Sequence, residues 1–197
     1  MPKPRSPRTI ARLLTKLYRV IFWAALLSIM PLATAAPSSA VHQHEHGTGY
    51  TILRGAGEGV LAQLLKYTGK QILSEMHKIS NQPHGKRRHR LLHPSSIAHK
   101  VLVDAATGWL NAVGIHEHVA VPFGPSVIAT EPGAVPQNCH SDMEIGWSII
   151  LAINDRALHF LTETVLLRAG DVLIFDATLP HWGAANLTLA VAWAAHL

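Results

Sequence analysis

The sequence predicts a mainly β protein in which two helices precede a jelly-roll-like sheet. Short apolar runs rich in Val, Ile and aromatic residues recur after Gly114, separated by turn residues. Apolar residues keep a helical period from Glu58 to about Ile79, a second helix is indicated from Ser96 to about Val113, and a basic segment followed by an apolar one begins the chain. With 197 residues, 48% of them hydrophobic, the chain can form one domain with a substantial core behind a leader.

Residues 1–36 have the features of a targeting leader. The basic stretch "MPKPRSPRTIARLLTKLYR" precedes the apolar stretch "VIFWAALLSIMPLATAA", and Ala33-Thr34-Ala35 resembles a signal cleavage site. We therefore expect a signal peptide, a mature chain that begins near Ala36, and a location in the ER or Golgi lumen or outside the cell. An organellar transit peptide is the alternative, because acidic residues are missing here. An uncleaved leader would be the protein's only contact with a membrane.

The net charge of +5 suggests a nucleic-acid partner, but the distribution of charge argues against one. Lys and Arg exceed the acidic residues only in residues 1–100, whereas residues 101–197 hold nine acidic residues and two basic ones, Arg156 and Arg168. The excess of positive charge therefore describes the first half of the chain, and we find no strong nucleic-acid signal. Cys139 is the only cysteine, so no intrachain disulfide can form.

The segment before the sheet is predicted to be a linker, residues 37–57, followed by a helical support region, residues 58–114. The first helix is expected from Glu58 to about Ile79, with a division into two helices at Gly69 as the alternative. Ser95 and Ser96 are candidate N-caps of a second helix that ends before Gly114. Between the helices, "NQPHGKRRHRLLHP" at residues 81–94 predicts a solvated loop, with a phosphate-binding patch as the alternative.

Residues 115–197 are predicted to form the β core. Eight or nine short strands with hairpin-length gaps indicate a sandwich or a barrel. The predicted strands are "HEHVAV", "SVIATEP", "NCHSD", "WSIILAIN", "ALHFL", "TVLLR", "DVLIF", "HWGAA" and "LTLAVAWAAH".

Three residues of this core form a candidate metal site. His140 and Asp142 are two residues apart, so both side chains lie on one side of an extended strand. His181 follows on a later predicted strand. Two imidazoles and one carboxylate on one face are typical of non-haem Fe(II) oxygenases, because three ligands leave coordination positions open. A surface turn at His140 and Asp142, with an unrelated edge histidine at residue 181, is the alternative.

The segments that carry these residues, "EPGAVPQNCHSD" and "GDVLIFDATLPHWGAAN", resemble the 2-oxoglutarate/Fe(II)-dependent dioxygenases, above all the phytanoyl-hydroxylase and prolyl-hydroxylase-like branches. The resemblance covers about residues 125–197 and implies a double-stranded β-helix, the jelly-roll-like fold of the cupins. It places His140 and Asp142 on the second strand and His181 on the seventh, as the catalytic metal ligands. It further implies Fe(II), 2-oxoglutarate as cosubstrate, O₂, and hydroxylation of an unidentified substrate.

One feature of this family is missing from the last predicted strand. The family usually holds the far carboxylate of 2-oxoglutarate with an Arg or Lys there, but "LTLAVAWAAHL" contains neither. Arg156, at the edge of the predicted fourth strand, is the first candidate for this cofactor-binding role, followed by Arg168 and the basic run at 86–90. If none serves, the alternative function is a non-catalytic, cupin-like module that binds a metal or ligand without 2-oxoglutarate.

Overall fold

The computed structural model describes residues 44–68, 73, 75–78, 86–116 and 124–197. The predicted leader lies outside these residues, and no helix among them is long and apolar enough to cross a membrane. The described helices are α1 (Glu58–Leu64) and α2 (Ile97–Ala112). The described strands are β1 (His44–Gly47), β2 (Tyr50–Leu53), β3 (His77–Lys78), β4 (Arg87–Leu91), β5 (Ser126–Thr130), β6 (Trp147–Ala152), β7 (Arg156–Phe160), β8 (Thr164–Leu167), β9 (Val172–Asp176), β10 (His181–Gly183) and β11 (Ala192–His196).

The described strands form two antiparallel sheets. The larger has the order β1-β2-β9-β6-β11-β5-β4-β3, and the smaller has the order β10-β7-β8. An isolated bridge between His140 and His181 adds the "NCHSD" segment beside β10. Counted from β5, this gives the eight-strand arrangement of a double-stranded β-helix, with the bridge segment second and β10 seventh. The predicted mainly β, jelly-roll-like fold is confirmed.

Side chains of the central strands alternate between two apolar layers, which explains their nearly continuous hydrophobicity. On β6, Ile149 and Leu151 face a cluster that includes Leu102 and Trp109 of α2. Ile150 and Ala152 face the interior between the two sheets, where Leu158, Phe160 and Phe175 also lie. The same alternation on β7 places Arg156 on the interior side with Leu158 and Phe160.

Helix α2 matches its prediction. The side chain of Ser96 accepts a hydrogen bond from the backbone N–H of His99 at 3.2 Å, as an N-cap residue does. Gly114 has a φ of 81°, a conformation that glycine adopts without strain, and it lies just beyond the helix end. This helix covers the outer face of the large sheet through Ala98, Leu102 and Trp109.

The region before α2 differs from the prediction in three places. Strands β1 and β2 form a hairpin in the segment expected to be a linker, and β2 pairs with β9. Strand β4 lies in the segment expected to be a loop. Helix α1 ends at Leu64, earlier than Gly69, and passes into a 3₁₀ turn over Leu65–Tyr67; Leu73 and Glu75 are again helical, and Ile79 lies outside the described residues.

Strand β4 escaped prediction because its sequence, "RRHRL", has no apolar alternation. Its pairing with β5 aligns Arg87 with Thr130 and Leu91 with Ser126. Outward-facing Arg88 binds Glu131 at 2.7 Å, whereas Arg87 is only 3% exposed. Tertiary pairing therefore stabilises a strand whose own sequence is typical of a solvated loop.

Candidate metal centre and arginine cavity

The backbone brings His140 and His181 side by side. Each donates its N–H to the carbonyl of the other, at 3.0 and 2.8 Å, and their rings lie 4.6 Å apart. The backbone N–H of Asp142 donates to the carbonyl of Ala177 at 3.0 Å, which fixes the chain just past the bridge. One ligand atom from each of His140, Asp142 and His181, called the triad below, lies within 4.8 Å of the other two.

Both histidines are oriented to bind through the same ring nitrogen. His140 Nδ1 lies 2.8 Å from the carbonyl oxygen of Asn138, and His181 Nδ1 lies 2.9 Å from that of Leu179. A carbonyl can only accept, so Nδ1 carries the proton and Nε2 keeps its lone pair. These Nε2 atoms lie 3.8 and 3.6 Å from Asp142 Oδ1. The three ligand atoms therefore face a common point.

The surroundings favour the charge states that a metal requires. His181 is wedged against Phe160 and Phe175, and burial lowers its pKa, which favours the neutral ring. Burial opposes ionisation of Asp142, but hydrogen bonds from His196 and Ser148 outweigh it and hold the pKa well below its usual range. Two neutral imidazoles and one carboxylate are a suitable donor set for a divalent iron-class ion.

A second feature is a cavity of about 430 Å³ that is open to the surface, called the arginine cavity below. Strand pairing places Phe160 opposite His181. Arg156 lies four residues before Phe160 on β7, which is about 13 Å along the strand. The cavity is lined chiefly by Arg87, Thr130, Asp155, Arg156, Arg168, Ala184, Asn186 and Ala192.

Arg156 lines this cavity, and two of its guanidinium nitrogens have no partner in the described part of the chain. Its Nε and Nη1 atoms are buried and form no hydrogen bond with any residue in the described part of the chain. Burial, together with the charge of nearby Arg87, lowers the pKa of Arg156 to about 10. Buried polar atoms are rarely left unsatisfied in native proteins, so such a group indicates a missing ligand or a functional site.

Arg87 lies in the same cavity but is fully engaged. Its Nη1 donates to Thr130 Oγ1 at 2.9 Å, and its Nη2 donates to the carbonyls of Val135 and Gly183, each at 3.1 Å. The carbonyl of Ala184 accepts a further bond from Nη2. All these acceptors are neutral, and burial lowers the pKa of Arg87 to about 10. The cavity therefore contains two buried guanidinium groups that no carboxylate of the described residues contacts.

Arg87, which lines the cavity, also contacts strand β10, the strand of His181. Gly183 lies two residues beyond His181 and receives the bond from Arg87 through its carbonyl. A Cβ atom on Gly183 would lie only 2.9 Å from Arg87 Nη1 and 2.5 Å from Gln137 Oε1. A larger residue would force the side chains of Arg87 and Gln137 to shift, so glycine favours this close approach between the strand of His181 and the arginine that lines the cavity.

The structure thus places His140, Asp142 and His181 together, as their spacing predicted, and places Arg156 in the interior. Arg168 lines the same cavity but is exposed. The sequence analysis did not identify Ser148 and His196 as contacts of the Asp142 carboxylate. Each is a lone polar residue at an interior position of an apolar strand, a pattern that period-2 alternation could have revealed.

No family model matches this chain, and no curated protein matches its sequence. Solved structures do match its fold. The non-haem α-ketoglutarate-dependent epimerase SnoN from nogalamycin biosynthesis has a TM-score of 0.60 and 18% identity, over 75% of this chain and 76% of that one. A second structure of SnoN, at 16% identity, contains Fe³⁺, α-ketoglutarate and nogalamycin RO.

Two prolyl hydroxylases are similar in fold as well. The viral collagen prolyl hydroxylase of Paramecium Bursaria Chlorella virus-1, in its 2-oxoglutarate complex, has a TM-score of 0.58 and 13% identity, over 76% of this chain and 94% of that one. A Pseudomonas putida prolyl-4-hydroxylase also has a TM-score of 0.58 and 13% identity, over 80% and 91%. The chain has the double-stranded β-helix fold of the 2-oxoglutarate/Fe(II)-dependent oxygenases, and the predicted resemblance is confirmed for the fold.

Proposed function

We propose that this protein is an Fe(II)- and 2-oxoglutarate-dependent dioxygenase that hydroxylates an unidentified substrate. The observation that carries the proposal is the triad on this fold, with both Nε2 atoms and Asp142 Oδ1 facing one point. His140, Asp142 and His181 would hold the iron. Iron and 2-oxoglutarate would together supply the oxidation of a C–H bond by O₂.

The residues of the triad prepare the site before any ion arrives. The backbone carbonyls of Asn138 and Leu179 hold the two rings in the required tautomer. Phe160 and Phe175 exclude water from one side of His181, which is only 3% exposed, whereas the His140 side chain is 38% exposed. The site is therefore closed toward the core and open on the His140 side, where a substrate would approach.

Arg156 is our candidate for binding the far carboxylate of 2-oxoglutarate. The last strand offers no cation, and Ala192 of that strand lines the arginine cavity with a small side chain. Arg156 would fill this role from β7, with two guanidinium nitrogens that have no partner in the described chain. A hydrogen bond to a charged group contributes about 1.5–3 kcal/mol, and a carboxylate would also neutralise the buried charge.

The rival function is a non-catalytic, cupin-like module that binds a metal or ligand without 2-oxoglutarate. Its main support was the missing cation on the last strand. The unpartnered guanidinium of Arg156 weakens that argument, because β7 supplies a cation where the last strand has no Arg or Lys. The oxygenase is therefore the better explanation of both the triad and the arginine cavity.

The leader suggests where the reaction takes place. We propose that the protein enters the secretory pathway and loses residues 1–35, with import into an organelle as the alternative. The intact mass of the protein isolated from its native compartment tests this proposal. A mass that begins near Ala36 supports cleavage, and an unprocessed N-terminus would contradict it.

A turnover assay separates the enzyme from the module. Purified protein is supplied with Fe(II), 2-oxoglutarate and O₂, and the formation of succinate is measured. We expect succinate from the wild type, none from His181→Ala, and wild-type rates from His159→Ala, a histidine of β7 outside the triad. Wild-type protein that retains iron but yields no succinate would favour the binding module.

A further inference from the structure

The two carboxylate oxygens of Asp142 have different surroundings. Oδ1 is the oxygen nearer the triad histidines, 3.8 Å from His140 Nε2 and 3.6 Å from His181 Nε2. Oδ2 instead accepts a 2.6 Å hydrogen bond from Ser148 Oγ and lies 3.3 Å from His196 Nε2. One oxygen is directed at the candidate metal position, and the other accepts from Ser148 and lies beside His196.

The two donors come from neighbouring strands of the large sheet. Ser148 begins the interior face of β6, followed on that face by Ile150 and Ala152. His196 ends the interior face of β11, after Ala192 and Ala194. Each is the polar member of an otherwise apolar face. Ser148 is only 1% exposed, and a hydroxyl buried this deeply is costly without a hydrogen bond, which Asp142 accepts.

We propose that His196 and Ser148 are positioning residues that hold Asp142 Oδ2, so that only Oδ1 is presented to the metal. The inference rests on the proposed metal site and deepens it. A carboxylate without these donors is free to rotate about its Cβ–Cγ bond and offer both oxygens, which would occupy a further coordination position. The last strand, which lacks the expected cation, would then serve the site by fixing its carboxylate ligand.

Partners in the shell around metal ligands have measurable effects on affinity. Their removal commonly weakens metal binding by about 10–100-fold, because the ligand loses its orientation. His196 and Ser148 support the same oxygen, so we expect their effects to be non-additive when they are combined. A histidine that only packs at the end of β11 would change the stability of the fold without such coupling to Asp142.

The experiment measures Mn(II) affinity by calorimetry, together with the thermal unfolding of the metal-free proteins. His196→Leu removes the N–H donor, while His196→Gln keeps an N–H at a comparable reach. Ser148→Ala deletes a single oxygen, so it is the variant least prone to misfolding. His159→Leu is the matched control, since this half-buried histidine bonds Thr164 at 2.7 Å, away from the triad.

We expect Mn(II) affinity to fall about 10–100-fold in His196→Leu and Ser148→Ala, to be largely restored in His196→Gln, and to stay unchanged in His159→Leu. Wild-type affinity in both His196→Leu and Ser148→Ala would overturn the inference while leaving the metal site intact. Additive losses in the double variant would also overturn it. A wild type that binds no Mn(II) would instead overturn the proposed metal site, and this inference with it.

Discussion

The triad and the arginine cavity differ in whether their buried polar groups are hydrogen-bonded. In the triad, both Nδ1 atoms and Asp142 Oδ2 are already hydrogen-bonded, and only the atoms that face the candidate metal position are left available. In the arginine cavity, two guanidinium nitrogens of Arg156 are buried without a partner in the described chain. The first region is organised in advance, whereas the second leaves two donors that, under our proposal, an anionic ligand would pair.

This difference assigns separate tasks to the two regions. A buried donor without a partner costs about 1–3 kcal/mol, so the arginine cavity is a source of strain in the ligand-free protein. An anion that pairs with Arg156 would remove that cost when it binds. The triad carries no such unsatisfied side-chain donor, so its geometry is expected to persist without metal.

The largest expected effect concerns the triad. His140→Ala or His181→Ala removes one of three ligands and should abolish tight metal binding, whereas His159→Ala should leave it unchanged. Metal content after dialysis, measured by plasma emission spectrometry, checks this prediction. Stoichiometric metal retained by His181→Ala would show that the site is wrongly assigned.

The next effect concerns Arg87, the engaged member of the arginine cavity. Arg87→Met leaves Thr130 Oγ1 and three backbone carbonyls without their donor. We expect the free energy of unfolding to fall by about 2 kcal/mol or more, because hydrogen bonds to charged groups are among the stronger ones. Urea unfolding of the metal-free protein measures this change.

Arg88→Met is the control on the same strand. Arg88 forms a partly exposed ion pair with Glu131, so its loss should cost about 1 kcal/mol or less. An equal or smaller effect at Arg87 would mean that its hydrogen bonds contribute little to the fold.

Arg156→Met should change the free energy of unfolding in the opposite direction from Arg87→Met, and by a smaller amount. It replaces an unpartnered buried cation with an apolar side chain, so we expect the free energy of unfolding to rise by about 1 kcal/mol in the ligand-free protein. Urea unfolding with saturating 2-oxoglutarate and Mn(II) should reverse the order, because only the wild type gains the anion. Destabilisation of the ligand-free variant would indicate that Arg156 has a structural partner.

The smallest effect is on the acid dependence of stability. The folded protein lowers the pKa of Asp142, so the unfolded chain binds this proton more readily. The resulting stabilisation is present above the unfolded pKa, about 4, and is lost as the pH falls below it toward the folded pKa. Metal-free Asp142→Asn should therefore lose less stability between about pH 4 and 2 than the wild type does. Parallel curves of unfolding free energy against pH for the wild type and Asp142→Asn would contradict the lowered pKa of Asp142.

The sequence predicted the features that depend on local pattern or strand order. Ser96 and Gly114 mark the ends of α2 by their own chemistry, and His140, Asp142 and His181 follow from period-2 geometry and the order of strands. Arg87 could not be placed in this way, because its strand has a polar sequence and exists only through pairing with β5. The contact between His196 of β11 and Asp142, just past the His140 bridge, joins residues 54 positions apart, so only the folded chain reveals it.

The role of Arg156 could be predicted only in part from the sequence. Its position at the start of an apolar strand made it the first candidate for binding the far carboxylate. The sequence could not show that its guanidinium nitrogens are buried without a partner, because that depends on β4, β5 and β11 closing the cavity around it. The exposed Arg168 lines the same cavity and differs from Arg156 chiefly in its exposure.

The most direct test of the central claim is an anaerobic titration of the Fe(II)-loaded protein with 2-oxoglutarate, followed by the metal-to-ligand charge-transfer band. We expect a band in the wild type, an affinity about tenfold or more weaker in Arg156→Ala, and near-wild-type affinity in Arg168→Ala. A wild type that binds iron but develops no band would contradict the oxygenase assignment. A band with unchanged affinity in Arg156→Ala would contradict the role of the arginine cavity.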